Sequence, residues 1–156
     1  MAEGQKRIGV RTQWLGRRQF EAVGPSGYPV RMDAKEEYGG EGAGNSPLEL
    51  LLVGLTGCIG IGVTQLLEKM RQSLESLEIE ADGIREAKLP HAITQIHLTF
   101  RATGEVAPSR IWQAVKLEAE QYCPVAKSLH AEIILQVILN GQELPMPAEE
   151  SKEGLR

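Results

Sequence analysis

The chain has 156 residues, of which 42% are hydrophobic, 24% charged and only 4% aromatic, and its formal net charge is −4. That length predicts one domain, and that composition predicts an aliphatic globular core. The acidic balance excludes a charge-driven attraction to nucleic acid or to an anionic membrane, so neither is expected as a partner.

The opening Met-Ala-Glu-Gly-Gln-Lys-Arg lacks the apolar core of a signal peptide. No uninterrupted apolar run reaches the ~18 residues of a membrane span. A cytoplasmic location is therefore expected. Residues 1–6 read as a disordered terminus, and the fold is expected over residues 7–140.

The first third reads as β-structure. Ile8, Val10, Thr12 and Trp14 alternate with polar positions, and Gly16-Arg17-Arg18 turns the chain into a second strand carrying Phe20, Ala22 and Val23. Gly24-Pro25-Ser26-Gly27 is a second turn, and Tyr28 to Met32 a third strand. From Asp33 to Gly44 the chain is polar and glycine-rich, which predicts a mobile connecting loop.

A long helix then declares its start. Ser46 suits the N-cap, Pro47 the first helical position, and Glu49 stands three residues after Ser46 to complete a capping box. The helix is expected to run to about Arg71, with Lys69 and Arg71 at the negative end of its dipole. Between Leu48 and Val63 it has almost no polar face, which predicts burial on all sides. A dimer hides such a helix more easily than a monomer.

Leu74 to Ala87 and Ala92 to Thr103 read as two long strands joined by a turn near Leu89-Pro90, with Ile96, Leu98 and Phe100 on one face of the second. Pro108 to Tyr122 is an amphipathic helix broken by Cys123-Pro124. After a short turn, Ala131 to Leu139 forms a last strand stopped by Asn140-Gly141. Residues 142–156 show no core-forming pattern and read as disordered. The order βββ-α-ββ-α-β argues an α+β fold with mostly antiparallel sheets around a buried central helix.

The chemistry rests on two thiols, Cys58 and Cys123. In a reducing compartment such a pair is more often redox-active than a structural staple. A metal site is not expected, because no Cys-x-x-Cys is present and only three histidines are available. No cofactor is implied.

Cys58 lies among Gly54, Gly57, Gly60 and Gly62, each weakening the helix by roughly 0.8–1 kcal/mol relative to alanine. Such a run predicts a close approach of another backbone or a ligand. A small buried hydrophobe at a helix crossing is the plainer reading of Cys58. Its apolar flanks supply no partner for a thiolate, so a cation must come from elsewhere, with Arg17, Arg18 and Arg31 as candidates. Cys123 precedes Pro124 and takes an N-cap-like place, which nominates it as the more acidic thiol. A Cys–His hydrolase is a weaker reading. Among His91, His97 and His130 only His130 is close in sequence to a thiol, and no flanking motif supports that chemistry.

The glycine loop from Gly39 to Gly44, the helix start Asn45-Ser46-Pro47-Leu48-Glu49-Leu50, the helix with Cys58 and Tyr122-Cys123-Pro124 together resemble one family. It is that of osmotically inducible protein C and the organic hydroperoxide resistance proteins. The resemblance implies an intertwined homodimer with two sites at the subunit interface. It further implies a thiol-dependent peroxidase acting on small organic hydroperoxides, with Cys58 as the peroxidatic and Cys123 as the resolving cysteine. A dithiol of lipoyl type would be the reductant. The hydroperoxide-resistance branch carries a glutamate ten residues before its reactive cysteine, where it orients an arginine. Here Leu48 occupies that position and Glu49 serves the cap, so the chain resembles a divergent branch. The alternative reading is a non-catalytic dimer of this fold that binds a small apolar ligand in the interface cleft.

Overall fold

Trp14 and Phe20 face each other across the first hairpin, in a computed structural model that describes residues 3–148. Three strands, β1 (Arg11–Gly16), β2 (Gln19–Val23) and β3 (Pro29–Met32), pair in sequence order as an antiparallel sheet. The β1–β2 turn places Gly16 and Arg17 at positive φ, the geometry a tight hairpin demands. Ile8 and Val10, expected to begin β1, precede it and are exposed. The chain divides into two compact units, Met1–Leu51 and Leu52–Arg156.

The glycine loop of the first unit is fastened rather than open. Asp33 is only 2% exposed, and its carboxylate accepts hydrogen bonds from the backbone N–H groups of Ala34 (2.8 Å), Glu41 (2.8 Å) and Ala43 (3.1 Å). A short 3-10 turn covers Glu36–Tyr38, and the loop closes where Asp33 N–H donates to Asn45 O at 3.1 Å. Gly44 must be glycine, because a Cβ there would stand 2.7 Å from the Arg31 carbonyl. Composition alone hid this, since it does not say where one carboxylate will find three donors.

Helix α1 (Pro47–Lys69) starts with the expected capping box. Glu49 N–H donates to Ser46 Oγ at 3.3 Å, and Ser46 N–H donates to Glu49 Oε2 at 2.7 Å. The helix ends two residues before Arg71, which takes a left-handed φ of 57°. Burial on all sides does not occur within one chain. Leu55, Ile59, Gly62, Val63 and Leu67 form one buried stripe, while Val53 and Ile61 are 59% and 64% exposed. By length and hydropathy α1 could cross a bilayer, a criterion that core helices of globular domains also meet.

In the second unit β4 (Ser73–Arg85) and β5 (Ile93–Glu105) form a long antiparallel pair, and β6 (Glu132–Leu139) joins β5 in parallel. The helical connection from β5 to β6 imposes that parallel pairing, so the sheet is mixed rather than uniformly antiparallel. The α+β class holds. Ile96, Leu98 and Phe100 on β5 are buried, as the alternation requires, and pack with the α1 stripe, Val137 on β6, and Ile111 and Val115 on α2 (Pro108–Leu117). Structure continues past Asn140-Gly141, where none was expected. Residues Gln142–Glu143 form β7 against β6, and Leu144 N–H donates to Val137 O at 2.8 Å. Of the termini expected to be disordered, residues 1–2 and 149–156 lie outside the described residues.

Candidate active site

The helix expected to reach Tyr122 changes character before its end. Regular α2 stops at Leu117, and Glu118–Tyr122 widens into a π-helical turn whose closing bond runs from Cys123 N–H to Glu118 O at 2.9 Å. Pro124 then begins α3 (Pro124–Ser128), with Cys123 as its N-cap. The thiol does what an N-cap side chain does: Sγ accepts the Ala126 N–H at 3.3 Å. Single π turns inside α-helices are rare and cluster at functional sites.

Cys123 and Cys58 are brought together. Cys123 is fully buried, while Cys58 on α1 is half-buried and stays a free thiol beside it. Burial pushes the Cys123 thiol above its ordinary pKa, and the neighbouring Cys58 side chain pushes the same way. The Ala126 and Val125 N–H groups pull in the other direction and lose. The N-cap geometry expected from sequence is present, but the acidity inferred from it is not. Desolvation outweighs two backbone donors at the end of a five-residue helix.

A second buried group lies along the same wall. Gly62 follows Cys58 by one helical turn, and the carboxyl of Glu118 occupies the space where a Cβ at position 62 would stand. Glu118 is 7% exposed, and among the described residues its carboxyl makes no hydrogen bond or ion pair. Burial holds its pKa above the usual carboxylate range. Sequence reading missed it. The available signal was a glycine four residues after Cys58 matched by an acid five residues before Cys123.

The candidate cations belong to the first unit. Arg17 pairs with Glu41 at 3.6 Å, Arg31 pairs with Glu21 at 3.4 Å, and Arg18 is exposed. The histidines do not build a Cys–His site. His91 Nδ1 lies 3.0 Å from Glu86 O, His97 Nε2 lies 3.0 Å from Gln95 Oε1, and His130 is exposed. Of the four glycines around Cys58, Gly60 meets Ile79 and Gly62 meets Glu118, while among the described residues nothing stands within 4 Å of where a Cβ at Gly54 or Gly57 would be.

Residues 40–137, a span from the glycine loop to β6 that includes both thiols, match the family described as OsmC-like protein. The chain belongs to the OsmC-like family. Protein YhfA of Escherichia coli strain K12 is 32% identical over 125 residues, which cover 80% of this chain and 90% of that protein. A solved structure of a hypothetical protein from Aquifex aeolicus VF5 is 28% identical, with a TM-score of 0.73, covering 86% of this chain and 98% of its own. An organic hydroperoxide resistance protein from Legionella pneumophila shares the OsmC-like fold at a TM-score of 0.61. Its identity is 16%, over 88% of this chain and 98% of that one.

Proposed function

We propose that this OsmC-like protein is a thiol-dependent peroxidase that reduces organic hydroperoxides through Cys58 and Cys123. The observation that carries the reading is the asymmetry of the neighbouring thiols. Cys58 is half-buried, while Cys123 is fully buried beside it. Family membership, with relatives of this fold named for hydroperoxide resistance, supports the same assignment.

In this reading the Cys58 thiolate attacks one peroxide oxygen. The S–O bond forms, the O–O bond breaks, and the alcohol leaves with a proton, so that Cys58 becomes a sulfenic acid. Cys123 sulfur then attacks Cys58 sulfur, the S–S bond forms, and the sulfenic oxygen departs as water. A small dithiol of lipoyl type returns two electrons and two protons and becomes a disulfide itself. The protein would act as a cytoplasmic homodimer. A second copy would cover the α1 face that leaves Val53 and Ile61 in solvent and, among the described residues, open space beside Gly54 and Gly57.

The test is intact-mass spectrometry of the reduced protein after one equivalent of tert-butyl hydroperoxide. The expected result is rapid loss of two hydrogens, absent in Cys58→Ser and in Cys123→Ser, with a sulfenic adduct trapped in Cys123→Ser. An unchanged mass with both thiols still free after minutes overturns the peroxidase. The open glycine face of α1 would then favour the second reading, a dimer that binds a small apolar ligand.

A further inference from the structure

Four positions of the second unit stand in register. Cys58 and Gly62 are one turn apart on α1, about 6 Å along its axis. Cys123 and Glu118 are the two ends of the π turn, linked by the bond from Cys123 N–H to Glu118 O. Cys58 is beside Cys123, and Gly62 is filled by Glu118. A carboxylate with so little exposure and no partner is costly to keep charged, and here the helix gives up a side chain at Gly62 to admit it.

The proposed reaction leaves a task open. Cys123 must attack as a thiolate, yet it is fully buried and its pKa is raised, so it needs an acceptor for its proton. The groups around Glu118 offer no competitor. Burial is what raises its pKa, Glu120 on its own turn is exposed, and β6, which α2 contacts, carries only Glu132, also exposed. Tyr122 on the same turn is exposed, as are Lys127 on α3, which donates to Glu120 O at 3.0 Å, and Glu68 and Lys69 at the end of α1. Lys116 on α2 is half-buried, and none of these pairs with Glu118.

We infer that Glu118 is a positioning and proton-holding residue of the resolving step, taking the proton from Cys123 as the disulfide closes. This inference rests on the dithiol reading above. The step balances: the Cys123 proton passes to the Glu118 carboxylate, Cys123 sulfur bonds to Cys58 sulfur, and the Cys58 S–O bond breaks. The proton on Glu118 then goes to the departing hydroxide to give water. With a leaving group that needs no proton, the acceptor half of this step stands alone.

The experiment uses the full chain and 5,5′-dithiobis(2-nitrobenzoate). The reagent first loads Cys58 as a mixed disulfide, and Cys123 then closes the internal disulfide and releases a second equivalent of the coloured thiolate. That second release is followed by stopped-flow absorbance from pH 5 to 10 in the wild type, Glu118→Gln and Glu118→Asp. General-base assistance predicts that Glu118→Gln is slower at pH 7 by at least roughly tenfold, and that Glu118→Asp recovers part of the rate. The two curves should converge at high pH, where Cys123 ionises unaided, a convergence that a merely structural defect would not produce. Equal rates and equal pH profiles in wild type and Glu118→Gln would overturn the inference. Because no peroxide is used, this outcome is separate from failure of the peroxidase reading, which the peroxide mass experiment reports.

Discussion

The carboxyl of Glu118 fills the volume that a side chain at Gly62 would need, so the two positions, 56 residues apart, are one packing unit. Gly62 is therefore a glycine for the sake of its neighbour, not for backbone freedom.

This unit predicts a non-additive pair. Alanine in a helix interior is about 0.8–1 kcal/mol better than glycine, so in a Glu118→Ala background Gly62→Ala should stabilise by about that amount. In the wild type the new methyl group displaces the carboxyl, and most of the gain should vanish. A double-mutant cycle from thermal or denaturant unfolding reads the difference. Equal effects in the two backgrounds would show that the residues do not share the space.

The sign of the Glu118 pH effect follows from its raised pKa. The folded state holds the proton more tightly than the unfolded chain, so stability is fully present below the unfolded carboxylate pKa and declines as pH rises through the folded one. Glu118→Gln removes that decline. Its melting temperature should match the wild type near pH 4 and exceed it near pH 8, the gap opening as pH rises through the folded-state pKa. A difference independent of pH would contradict this.

Asp33 carries the opposite sign. Its pKa is held below the usual range, foremost by the Glu41 and Ala43 N–H groups, so the stability it contributes is present above the unfolded pKa and lost as pH falls through the folded one. Asp33→Ala should release the loop at neutral pH and speed protease cleavage between residues 34 and 44 several-fold. Limited proteolysis with mass mapping checks this, and wild-type resistance in the variant would refute it.

The two thiols should differ in reach. Iodoacetamide added to the native reduced protein should label Cys58 at least tenfold faster than the fully buried Cys123, with equal labelling after unfolding. Peptide mapping over a time course decides it, and faster labelling of Cys123 would reverse the proposed roles.

The proposed homodimer places the exposed side of α1 at an interface. Ile61→Lys should then shift the protein to a monomer in sedimentation velocity, whereas Lys69, at the helix end, should tolerate Ala without change. A variant that remains the same size as the wild type would remove α1 from the interface.

Much of the architecture was legible in the chain because it is written in local terms. Ser46, Pro47 and Glu49 set the start of α1, the period-two alternation of Ile96, Leu98 and Phe100 marks β5, and Pro124 starts a new short helix after Cys123. Both thiols could be singled out for the same reason, being the only two in the chain. Tertiary structure decided what depends on residues far apart in sequence. Asp33 finds donors up to ten residues away, the β5–β6 pairing becomes parallel through a helical crossover, and Cys123 loses the acidity its N-cap place suggests because burial outweighs the local donors. Glu118 is the clearest case. In the sequence it is one acid among 21 Asp and Glu residues, and only the packing of one helix on another removes it from water and sets it against Gly62. Desolvation is a property of the assembled core, so no local pattern could announce it.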